Sequence, residues 1–280
     1  MMDVGNLVRN EGLRRGTRPE TIKTYIYCLN KFFRVCHKNP LEITKRDITD
    51  YVDYLHQWNR SDNTINVYIN ALKFFYENVL NKKLTLKIEH KRVRKQLPTF
   101  LTKEETQKLF DAIGNFKHKL MVKMLYATGM RVSELVSLKV KDFEFNENYG
   151  WVREGKGGKD RLFVIAVKLK KELLEWIAAN KLNADDWLFP GQGNTHVSIQ
   201  TIQLIIKIAR KKAKITKNVH PHTLRHSFAT HLIENGYAVT EVQPLLGHNS
   251  LNTTMIYLHM ASPELLKVKS PYDSLDKKGV

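Results

Sequence analysis

The chain has 280 residues, 42% of them hydrophobic, which is enough for the packed core of one or two domains and too many for a mainly disordered chain. Its 46 Lys and Arg against 28 Asp and Glu give a formal net charge of +18, so a polyanionic partner is expected, either nucleic acid or an anionic membrane surface. No run approaches the ~18 apolar residues of a membrane span, and Met1 to Asn6 lack the apolar core of a secretion signal, so a cytoplasmic, nucleic-acid-facing protein with no membrane association is expected.

The first third reads as helices. From Pro19 to Cys36, the residues Ile22, Tyr25, Ile26, Leu29, Phe32, Phe33 and Cys36 recur at helical spacing, and Pro19 suits a first turn. The two cysteines, Cys28 and Cys36, sit eight residues apart in this helix, about 12 Å along its axis, too far for a disulfide. They are expected to pack as small apolar groups. Thr44 and Asp47 resemble a capping box, with Asp in place of Glu, ahead of a stripe of Ile48, Tyr51, Val52 and Leu55. Ser61 caps a longer helix running through Ile65, Ile69, Leu72, Phe75 and Tyr76 to Val79. Aromatic stripes at this spacing read as core, and nothing in this region reads as catalytic.

Residues 87–98 are strongly basic, poorly periodic and end in Pro98, which marks a linker. The expected domains are therefore 1–96 and 97–280. Residues 1–96 carry 19 basic and 10 acidic side chains, and the remaining 184 carry 27 and 18. Each part is +9, so positive charge is about twice as dense in the first. Two basic domains joined by a basic strap suit a clamp on a duplex. A solvated linker explains the strap equally well.

The second part opens with a capping box at Thr102 and Glu105, a stripe of Leu109, Phe110 and Ile113, and a stop at Gly114. An apolar helix from His118 to Ala127 follows, then a break at Thr128-Gly129-Met130 and a short helix starting at Arg131. Residues 143–145, 151–154 and 161–166 read as short strands, the last two joined by a glycine-rich turn over 155–160. From Val167 the chain is helical again, interrupted by an extended stretch over 187–190, and Pro244 marks a helix start or a kink.

Four clusters carry residues capable of chemistry. They are Thr128-Gly129-Met130-Arg131-Val132-Ser133-Glu134-Leu135, then Lys156 at the hairpin tip, then His220-Pro221-His222-Thr223-Leu224-Arg225-His226, and last the run from Leu246-Gly247-His248 to Tyr257. A phosphodiester carries its charge on non-bridging oxygens, and a guanidinium suits them with two parallel hydrogen bonds and a permanent charge. Arg131 and Arg225 can thus grip one phosphate from two elements. A Tyr257 phenolate is a possible nucleophile, its reference pKa of about 10 requiring a base or a positive field. A leaving alkoxide needs a proton, which a lysine or histidine can deliver. His222 and Arg225 sit three residues apart on one helical face, and Glu134 stands three residues from Arg131, placed to hold its guanidinium.

Each of these residues alone has an ordinary alternative: a surface arginine, a basic turn, a core tyrosine. His220, His222, His226 and His231 invite a metal reading, but the run His222 to His226 lacks the Glu of a zinc-protease helix, and Arg225 would oppose a cation. No metal and no other cofactor is expected.

In order and wording these clusters resemble the tyrosine recombinase (phage integrase) family, and its Xer branch in particular. The resemblance covers residues 97 to 263, with 222–232 and 246–257 very close to the family pattern; the first part matches the family's core-binding domain only in character, as a three-helix unit. It implies a mainly α fold, with an N-terminal helical core-binding domain, a mainly helical catalytic domain bearing a small antiparallel sheet, and a C-shaped clamp on DNA. It implies that Tyr257 attacks the scissile phosphate to form a 3′-phosphotyrosyl link. Arg131 and Arg225 would bind the non-bridging oxygens, Lys156 would protonate the 5′-oxygen, and His222 would act as base or acid. His248 would donate to the phosphate and Glu134 would support. It further implies a homotetramer on two double-stranded DNA sites, with no nucleotide cofactor, and a C-terminal segment over 263–268 exchanged between protomers. An accessory partner and the target site are not specified. Xer-type resolution of chromosome dimers, integration of a mobile element, and catalytically inactive DNA binding are the three functional readings, with a topoisomerase and a metal-dependent nuclease as further rivals.

Overall fold

Helix signals in the first hundred residues become a layered helical unit. A computed structural model describes residues 2–82, 97–153, 160–247 and 254–255. The residues group into two compact units, Met1–Lys95 and Gln96–Val280. In the first, α1 (Val4–Arg14) is capped by Asp3, whose carboxylate accepts from the Asn6 N–H at 3.0 Å. Helix α2 (Pro19–Cys36) opens on Pro19 and ends at His37 in the left-handed region. Helix α3 (Lys45–Gln57) carries the full capping box: Thr44 N–H donates to Asp47 Oδ2 at 2.8 Å, and Asp47 N–H donates to Thr44 Oγ1 at 3.3 Å. Helix α4 (Asp62–Lys73), capped by Ser61, runs straight into a π-helical stretch, Phe74–Val79.

The stripes turn inward as expected. Val8, Leu29, Phe32, Ile48, Phe75 and Tyr76 have no exposed surface, and burying one such large side chain stabilises the unit by about 1.5–3 kcal/mol. The buried Tyr76 hydroxyl finds an acceptor, donating to the Pro40 carbonyl at 3.0 Å. Cys28 is buried and Cys36 half-buried, both as free thiols. The unit departs from the expected three helices by the addition of α1. Its stripe is short, with Val4 and Val8 facing in and Gly5 and Gly12 diluting the pattern, so docking on α2 rather than local periodicity secures it.

The second unit is built around α6 (Phe116–Thr128). Leu120, Met121, Val122, Met124 and Leu125 are all fully buried, so the helix is apolar on nearly every side and forms the centre of the core. Before it, α5 (Lys103–Asp111) has the Thr102–Glu105 capping box; the helix stops at Asp111, ahead of Gly114. After it come the short α7 (Val132–Val136) and a three-stranded antiparallel sheet in the order β1 (Phe143–Glu144), β2 (Tyr149–Val152), β3 (Arg161–Val164). Strand β2 begins two residues earlier than its periodicity suggests. Gly150 permits this, because a Cβ there would lie 2.3 Å from the Phe163 ring and 2.8 Å from the Asp142 carbonyl oxygen.

Helices α8 (Val167–Ala179), α9 (Ile199–Lys212), α10 (Pro221–Glu234) and α11 (Val239–Leu246) complete the unit. The extended interruption is present: Lys139 bridges Trp187 and Pro190 bridges His196, while Leu188 and Phe189 fill the core. Pro244 lies inside α11 rather than at its start. No helix of the described residues is long and apolar enough to cross a membrane.

Candidate active site

The break between α6 and α7 positions the first functional side chains. Gly129 ends α6 with φ +61, and a Cβ there would stand 2.3 Å from the Phe228 ring. Two residues on, Arg131 is the N-cap of α7. Glu134 reaches back as a capping carboxylate: its Oε2 accepts the Arg131 backbone N–H at 2.7 Å, and its Oε1 accepts Arg131 Nη1 at 2.7 Å. One carboxylate therefore fixes both the backbone and the guanidinium of Arg131. Glu134 is only 6% exposed. Burial pushes its carboxyl upward, but the Arg161 charge and the hydrogen bonds from Arg131 and Arg161 outweigh that and hold it below the usual range.

Arg225 approaches from α10 and is 3% exposed. Its Nη1 donates to the Gly129 carbonyl at 2.7 Å and its Nη2 to the Leu246 carbonyl. Both acceptors lie at helix C-termini, where carbonyls lack intrahelical partners and carry partial negative charge. Arg225 thereby joins the end of α6, just before Arg131, to the end of α11, just before Gly247. His222, one turn earlier on α10, is exposed. Partial desolvation against the protein lowers its pKa, and the nearby His220, Arg225 and Arg131 lower it further against the opposing Glu134, so the neutral imidazole is favoured.

Arg131, Glu134, His222 and Arg225 thus gather from α7 and α10 around one place. Lys156, His248 and Tyr257 lie outside the described residues, as does most of the 87–98 linker and the segment 263–268. One participant was read from the sequence only as the start of a short strand over 161–166, with no part in the site. Arg161, the first residue of β3, donates from Nη2 to Glu134 Oε2 at 2.7 Å. Among the described residues, no three His, Cys, Asp or Glu side chains converge as a metal site requires. His231 instead packs in the core with its Nδ1 2.8 Å from the Tyr126 hydroxyl.

Residues 99–264 match the phage integrase family, and residues 8–86 match the phage integrase N-terminal SAM-like domain. The chain belongs to the phage integrase family. This recombinase is similar to tyrosine recombinase XerA of Pyrococcus horikoshii, 34% identical over 252 residues covering 89% of this chain and 86% of the relative. It is also similar to tyrosine recombinase XerD of Oceanobacillus iheyensis, 32% identical over 281 residues covering 93% and 94%. Among solved structures it is similar to the XerH site-specific recombinase bound to a palindromic difH substrate in a post-cleavage complex, with a TM-score of 0.74, 25% identity, and 98% and 86% of the two chains covered. It is a Xer-like tyrosine recombinase, an enzyme of site-specific recombination.

Proposed function

We propose that this recombinase cuts and rejoins double-stranded DNA through a 3′-phosphotyrosyl intermediate, and that its role is Xer-type resolution of chromosome dimers in the cytoplasm. The Tyr257 phenol oxygen attacks the scissile phosphorus. A phosphorus–oxygen bond to Tyr257 forms as the bond to the 5′-oxygen breaks. The phenol proton passes to His222, whose lowered pKa keeps it neutral and able to accept. Lys156 gives a proton to the departing 5′-oxygen. Arg131 and Arg225 neutralise the non-bridging oxygens, with Glu134 orienting Arg131 and His248 donating to the same phosphate. A 5′-hydroxyl of another strand then attacks the phosphotyrosine and releases the phenol. One phosphodiester is exchanged for another, so no nucleotide is consumed.

The observation that supports this reading is the gathering of Arg131, held by Glu134, with Arg225 and His222. The first domain and the linker would grip the duplex, four protomers would act on two sites, and the segment 263–268 would dock on a neighbouring protomer. The XerA and XerD names of the relatives favour the housekeeping role over mobile-element integration.

The test is strand exchange between two duplexes carrying candidate sites, in the presence of EDTA. The wild type gives recombinant products, and Tyr257→Phe binds the sites without exchanging them. Equal product from both proteins would refute the assigned nucleophile. Binding without exchange by the wild type as well, on cognate sites, would favour the inactive DNA-binding reading.

A further inference from the structure

Arg161 does more than pair with a carboxylate. Its Nη2 donates to Glu134 Oε2 and its Nη1 to the Leu245 carbonyl, each at 2.7 Å. The side chain is 9% exposed. These partners lie 27 and 84 residues away, on α7 and in the last turn of α11. The guanidinium also packs on the residue that follows α11. Gly247 has φ +61, and a Cβ there would stand 2.7 Å from Arg161 Cδ and 3.2 Å from Nε. From β3, which follows the Lys156 segment in sequence, one planar fork thus joins two other elements: α7, which bears Glu134 and is capped by Arg131, and the end of α11, two residues before His248.

Glu134 has few other anchors. Oε1 takes Arg131 Nη1, and Oε2 takes the Arg131 backbone N–H and Arg161 Nη2. Without Arg161, Oε2 keeps a single donor and the buried carboxylate loses its neighbour on the β3 side. We propose that Arg161 is a positioning residue for DNA cleavage, fixing the Glu134 carboxylate that orients Arg131 and tying the end of α11 to it. This rests on the phosphotyrosyl reading of the same site. Lysine cannot replace it fully, since one ammonium lacks the two-nitrogen fork that serves separate acceptors.

The test is the single-turnover rate of covalent adduct formation on a nicked DNA substrate, measured with DNA affinity and thermal melting. In R161M the rate falls about 10- to 100-fold, the loss expected when a buried charged acceptor loses its donor, while DNA affinity is unchanged. R161K falls between R161M and the wild type. In an E134Q background, R161M lowers the rate further by less than about twofold, because the two residues act through one contact.

The acid limb of the rate profile gives an independent readout. Glu134 is faced by Arg131 from its own turn, Arg161 from β3 and His222 from α10, and the adjoining groove holds Lys139, Lys141, Asp142 and Arg153. Losing Arg161 removes the largest attraction that opposes burial. The acid limb then moves to higher pH in R161M and stays in place when Glu134 is already Gln. A purely structural role would move neither limb nor coupling.

A folded R161M or R161K that cleaves at the wild-type rate overturns the proposal. So does an R161M loss as large in E134Q as in the parent. If R161M melts below the assay temperature, R161K decides by the same criterion. Adduct missing from the wild type on its cognate site, or persisting in Tyr257→Phe, would instead count against the phosphotyrosyl reading.

Discussion

Charged side chains buried as deeply as Glu134 and Arg225 require partners, and here the partners also set direction. Arg131 is aimed by a carboxylate three residues on, which helix spacing exposes in the sequence. Arg161 is tied to the same carboxylate from 27 residues away, a contact no local period can reveal. The wording of 128–135 and 222–232 thus disclosed the Arg131 and Arg225 candidates, whereas the Arg161 contact with Glu134 and the Leu245 carbonyl depends on tertiary packing. A neighbouring histidine gives a test at this scale. Burial, together with His222, His220 and Arg225, lowers His226 from its usual 6.5 to about 4. Between those values the unfolded chain binds the proton more tightly than the folded one, so stability is lost as pH falls through that window. At pH 5 the loss is about 2 kcal/mol for this group alone. His220, His222 and His231 are lowered too and act in the same direction. Urea unfolding at pH 7 and pH 5 should show a smaller acid loss in His226→Gln than in the wild type. An identical loss would remove His226 as a cause.

At the scale of elements, caps were the most readable feature. Thr44 with Asp47 and Thr102 with Glu105 form the reciprocal bonds their spacing suggests, because capping depends on residues three apart. Helix α2 runs from Pro19 to Cys36, as the stripe indicates. Two of the misses share a cause. Helix α1 has a stripe too short to stand without α2, and β2 starts early because Gly150 passes under Phe163, so each depends on a neighbour beyond its own local pattern. Helix α5 stops short of Gly114. Gly129 shows what such a boundary does for the site. It combines a left-handed φ with close approach of Phe228, and it stands two residues before Arg131. Gly129→Ala should destabilise the chain by more than about 1 kcal/mol and slow DNA cleavage, read by urea unfolding and adduct formation. Unchanged stability would mean that the backbone and the Phe228 ring relax without loss.

At the scale of the molecule, the net charge of +18 spread over both parts of the chain suits contact with many phosphates. If six to ten phosphates are engaged, raising salt from 50 to 200 mM should weaken binding by about 10³- to 10⁵-fold. Fluorescence anisotropy on a labelled site measures this, and near-constant affinity would contradict a phosphate-dominated interface. Charge alone cannot separate a recombinase from a binder, since both need it. The separation rests on the phenol that the gathered arginines would serve. Trapping the protein on a nicked substrate, digesting it and mapping the nucleotide-bearing peptide by mass locates that phenol. The account requires the DNA to be joined to Tyr257; an adduct on any other side chain, or none on a cognate site, would contradict it.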